Sequence, residues 1–156
     1  VQQHIQTPSM VLRREVYETL GGFDRRLDMC EDWEMWIRTA TTFQVGFIPE
    51  ALAEYRVSAL NTTTRTTFAG TRAAVLRRVM EIADSYLPSD IVRACHTERN
   101  RAMAQYIAQF IPALMKAKRY SAVARTWRDA LTFSVDARTC YRLVSYTRNW
   151  QRLPGG

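Results

Sequence analysis

The chain has 156 residues, of which 47% are hydrophobic and 24% charged, and a formal net charge of +7. This length and composition suit one globular domain with a buried core and exclude a disordered or fibrous chain. No apolar run approaches the roughly 18–20 residues that cross a bilayer, and no signal-peptide pattern opens the sequence, so a soluble protein is expected.

In chain order, "SMVLR" predicts a short apolar strand and "REVYETLGG" a short helix. That helix gathers Val16, Tyr17 and Leu20 on one side, with Gly21 or Gly22 taking the left-handed stop. "FDRRLDMC" is a loop. Asp28 and Glu31 have capping-box spacing, and the helix they open places Trp33, Trp36, Ile37 and Ala40 on one stripe. "FQVGFI" alternates Phe43, Val45 and Phe47 as a half-buried strand does. Pro49 interrupts, and "ALAEYRV" resumes the alternation before a Thr- and Asn-rich loop.

From there the pattern is helical. "AAVLRRVMEIADSYL" aligns Val75, Leu76, Val79, Ile82, Ala83 and Tyr86 until Pro88. Ser89 or Asp90 can cap the next helix, which carries Cys95, Ala102, Tyr106, Ile107 and Phe110 up to Pro112. Shorter helices are expected over roughly 121–133 and 137–150. "KRYSAVARTWRDAL" looks like one hairpin of a tetratricopeptide-style unit, though a single copy makes no repeat array. The expectation is a mixed α/β segment over 1–66 and an all-helical tail over 67–156.

Residues 1–66 hold seven basic and nine acidic residues, net −2, whereas the remainder holds fifteen and six, net +9. Such asymmetry marks either a surface facing anions or a set of solvated helix faces. The tail is read as a helical packing module. Contact of its arginines and interleaved Trp127, Tyr141, Tyr146 and Trp150 with an anionic membrane is the alternative. No nucleic-acid partner is expected, because lysine is scarce and no nucleic-acid motif occurs. Cys30, Cys95 and Cys140, odd in number and without a C-x-x-C pair, read as reduced, mostly buried thiols of a cytoplasmic protein. The opening "VQQHIQTPS" begins in mid-phrase, and the chain is expected to be part of a longer protein.

"MCEDWEMWIR" packs Glu31, Asp32 and Glu34 beside Trp33 and Trp36. Alone it is an ordinary helix start, since acids complement the positive end of a helix. Its surroundings add meaning: Ser9, Arg13-Arg14, Gly21-Gly22-Phe23-Asp24, Glu31-Asp32-Trp33, Trp36-Ile37-Arg38 and Tyr55-Arg56 follow in order. Over about residues 4–66 this resembles the second half of the catalytic domain of family 2 glycosyltransferases, inverting enzymes with the nucleotide-sugar-binding GT-A fold.

The resemblance implies a nucleotide-sugar donor and a carbohydrate or lipid-linked acceptor. Asp32 would be the general base on the acceptor hydroxyl, with Glu31 in support, a role that suits a carboxylate ionised at neutral pH. It implies that Trp33 or Trp36 stacks on an apolar sugar face, although Trp36 also reads as core. Arg56 and Ser58 would be the diphosphate contacts, with Ser58 standing where many relatives carry histidine. The Mg²⁺ or Mn²⁺ of such enzymes is expected in the full-length protein, but its ligands are not in this chain, which has no Asp-x-Asp motif. These 156 residues alone are therefore expected to be inactive. "YTRNWQRL" has the ingredients of the Gln-x-x-Arg-Trp motif of processive synthases in the wrong order, which favours a non-processive transferase. A basic helical binding or assembly module without activity is the alternative.

Overall fold

The structure is a computed structural model that describes residues 5–56 and 71–152. Among these residues run helices α1 (Arg14–Leu20), α2 (Glu31–Thr42), α3 (Arg72–Asp84), α4 (Ser89–Ala108), α5 (Ile111–Lys116), α6 (Tyr120–Phe133) and α7 (Ala137–Arg148). Short 3-10 turns occupy Thr7–Ser9 and Trp150–Arg152.

The α/β expectation of a GT-A half-domain is corrected here, because no strand occurs among the described residues. Met10–Arg13 and residues 43–56 lie outside helices, and among the described residues they form no strand ladder. Alternation records which side chains would share a face of a sheet. A strand also needs a neighbour to bond its backbone, and local sequence does not contain one. Phe43 packs on an apolar cluster, yet Val45 and Phe47 on the same expected face are exposed.

The tail is helical as expected. Leu76, Ile111, Leu114 and Leu143 are fully buried and anchor its core, each stabilising by about 1.5–3 kcal/mol. Helix α4 packs along α6 and against α7, while α5 closes the end against α6 and α7. "KRYSAVARTWRDAL" falls almost wholly in one helix, α6, and α7 completes the hairpin. The helix expected to run up to Pro112 instead stops at Ala108, and Pro112 opens α5. Proline lacks an N–H and has a preset φ, so it suits a first helical turn.

Leu27, Met29 and Cys30, in the loop before α2, belong to this same helical core. A second, smaller cluster of Val16, Met35 and Trp36 joins α1 to α2. Gly21 ends α1 at φ +76°, where its N–H bonds the Tyr17 carbonyl at 2.9 Å. No helix among the described residues is long and apolar enough to cross a membrane. The thiols differ from expectation in part: Cys30 is buried, Cys140 half-buried and Cys95 exposed.

Asp136 caps α7 by accepting from the Thr139 N–H at 2.8 Å, and it also accepts from Arg101 Nε at 2.6 Å and Ser134 Oγ at 2.8 Å. The Arg101 bond, then the cap bond, hold its carboxyl well below the usual carboxylate range. A depressed folded-state pKa gives stability that is present above the unfolded value and lost as pH falls through the folded one. Asp136→Ala is expected to cost about 1–2 kcal/mol at neutral pH through the lost cap. It should also flatten the acid limb of stability below about pH 4. Urea unfolding of both forms at neutral and acid pH checks this. An equal loss at every pH would show that the charge contributes nothing.

Candidate functional site

Asp32 is the second residue of α2 and is half-buried. Its two oxygens have separate tasks. Oδ1 accepts from the Trp33 backbone N–H at 2.9 Å, using one of the donors that a helix start leaves open. Oδ2 accepts from the Thr7 hydroxyl at 3.1 Å. The expected Asp28–Glu31 capping box does not form. The N-cap position is Cys30, with no side-chain cap bond, and Asp28 is exposed.

Cys30 sits at φ 60°, ψ 21°, in the left-handed region. For a residue with a Cβ this costs about 1–3 kcal/mol, which the surrounding packing must hold in place. The Cys30 side chain is buried in the helical core, so the turn that presents Glu31 and Asp32 is pinned from beneath. Burial pushes its thiol up to about 12, which makes it a packing group and not a nucleophile.

A cavity of about 310 Å³ opens over this turn, its lining including the acids Asp28, Glu31 and Asp32 and the aromatics Trp33, Tyr55 and Tyr106. This size is at the lower end of small-molecule sites. Trp33 meets Tyr106 edge-on at 4.9 Å between ring centroids, and Tyr106 meets Phe110 at 5.5 Å. Below them Arg72 is buried, its Nη1 donating to the Tyr106 hydroxyl at 2.9 Å and its guanidinium 4.1 Å from the centre of the Phe110 ring. Burial raises the Tyr106 phenol, keeping it protonated.

Of the residues expected at the site, Glu31, Asp32 and Trp33 therefore share the cavity. Trp36 does not. One turn further along α2 it lies in the smaller cluster, edge-on to Phe23 at 6.1 Å, so it is a core residue and not an acceptor platform. Arg56 is exposed and is not part of the cavity wall, and Ser58 lies outside the described residues. Among the described residues no three His, Cys, Asp or Glu side chains come together as metal donors.

Thr7, Asp28, Tyr55, Arg72 and Tyr106 are among the lining residues that sequence reasoning did not assign to the site. Arg72 did leave one signal. It is a cation in a helix's first turn, where the macrodipole disfavours positive charge and no acidic residue offsets it. Comparison with family models, with curated proteins and with solved structures gives no match.

Proposed function

We propose that this site is the acceptor side of an inverting, non-processive sugar transfer, built on a helical scaffold. Asp32 takes the proton of the acceptor hydroxyl as that oxygen bonds to the anomeric carbon. The bond from that carbon to the nucleotide diphosphate breaks, and its electrons leave with the diphosphate. Glu31 positions the acceptor, and Trp33 offers its ring to an apolar sugar face.

One observation carries the reading: Asp32 Oδ2 already accepts from a hydroxyl at 3.1 Å at the edge of an aromatic-walled cavity. An acceptor hydroxyl displacing Thr7 would meet the same oxygen within general-base reach. The ordered motifs around Glu31-Asp32 support the same chemistry. The protein is accordingly read as cytoplasmic, where its nucleotide-sugar donor would be met, with the basic tail available for contact with the inner membrane face. With no Asp-x-Asp motif in the 156 residues, donor binding needs groups beyond those seen here.

The test is to incubate the complete gene product with a panel of nucleotide sugars, divalent cations and saccharide or lipid-linked acceptors. Products are followed by mass spectrometry and the new linkage by NMR. Transfer with inverted anomeric configuration is expected. No transfer across the panel, or transfer with retention, would overturn the reading and favour the basic binding module.

A further inference from the structure

The segment Phe43–Pro49 does not line the cavity, and it carries a run of exposed apolar side chains. Phe43 leaves α2 in extended conformation, at φ −120° and ψ 152°, and is held by the smaller apolar cluster. The chain then runs without a turn or bend until Glu50. Ile48 precedes Pro49, which favours extended backbone there as well. Among the described residues, no backbone N–H or C=O from Gln44 to Ile48 has a hydrogen-bond partner. Val45 is 57% exposed, Phe47 87% and Ile48 62%. Open backbone groups with projecting apolar side chains are what another strand recognises.

We propose that this segment pairs with the same segment of a second copy, as a short antiparallel ribbon about a two-fold axis at Gly46. Three features select a second copy. Residues 39–49 contain no charge, so superposing two copies brings no like charges together. With Gly46 opposite Gly46, Val45 of each copy faces Phe47 of the other, an aromatic–β-branched pair on one face. Gly46 has open space where a Cβ would stand, so nothing of its own chain obstructs a partner backbone at the axis. Pro49, which lacks an N–H, and the bend at Glu50 limit the ladder to Gln44–Ile48. The contact is isologous and closes as a dimer.

Sedimentation of the purified chain across the micromolar range tests this, with helix content checked by circular dichroism. A reversible monomer–dimer equilibrium is expected. Val45→Lys and Phe47→Lys should each weaken it at least tenfold, while Val11→Lys, at a still more exposed position outside the segment, should leave it unchanged. A second measurement uses Gly46→Cys in a Cys95→Ser, Cys140→Ser background. Paired Cα atoms at the axis would be about 4.5–5.5 Å apart, within disulfide reach. Rapid oxidation to a covalent dimer, far faster than for Val11→Cys in the same background, is expected. A chain monomeric throughout, a dimer indifferent to Val45→Lys and Phe47→Lys, assemblies larger than a dimer, or cross-linking no faster than the Val11→Cys control would each overturn the proposal.

Discussion

Asp32→Asn is expected to lower sugar transfer by the complete gene product about 10²–10⁴-fold, the range typical for loss of a positioned general base. The substitution is nearly isosteric. The Asn oxygen still accepts the Trp33 N–H, so the first turn of α2 keeps its bond. What disappears is the basic oxygen that now faces the Thr7 hydroxyl. The effect should fall on kcat with little change in acceptor KM, because the proton moves only as the new bond forms. Glu31→Gln, which alters positioning alone, should cost less. Initial rates with circular dichroism of each variant decide the matter. An Asp32→Asn enzyme within a few-fold of the parent would remove Asp32 from the chemistry.

Glu34→Ala should produce the largest loss of stability. Glu34 is 1% exposed, and its two oxygens accept from Arg38 Nε at 2.8 Å and Nη2 at 2.9 Å. Arg38, with its side chain 18% exposed, also donates to the carbonyls of Leu20 and Gly22 and so closes the end of α1. The Tyr86 hydroxyl reaches the Glu34 backbone carbonyl at 3.4 Å, tying the turn after α3 to the same point. Removing the carboxylate leaves a mostly buried guanidinium without its counter-charge, at a cost of about 3–5 kcal/mol. For a chain of this size that lowers the melting temperature by about 6–20 °C. Replacing both partners, Glu34→Leu with Arg38→Met, should recover much of the loss, since an apolar pair needs no compensation. Calorimetry of the three variants tests the claim. A single variant melting within about 2 °C of the parent would mean that the pair holds nothing together.

These two residues also show what was readable in advance. Asp32 stood inside a motif whose parts follow one another in sequence, and the helix that carries it is announced by local acids and spacing. The four-residue step from Glu34 to Arg38 was equally visible, since it is the distance at which helical neighbours meet. Its burial was not, because burial depends on α1 and α3 arriving from elsewhere in the chain. The tail helices were legible because a helix satisfies its own backbone, so a 3.6-residue period suffices. The strands were misread for the converse reason. Phe43, Val45 and Phe47 alternate correctly, but a partner strand is a non-local fact. Arg72 and Tyr106 escaped for the same reason: 34 positions apart from each other and further still from Asp32, they meet at the cavity only because α3 and α4 pack side by side.

The part of the cavity lining supplied by Arg72 and Tyr106 therefore bears on how such a protein can diversify. Glu31 and Asp32 belong to one stretch of the gene, while Arg72 and Tyr106 belong to helices encoded well downstream. Recombination that exchanged the downstream stretch would leave Glu31 and Asp32 untouched and replace the residues that face them across the cavity. Two halves of one cavity can thus change independently of each other.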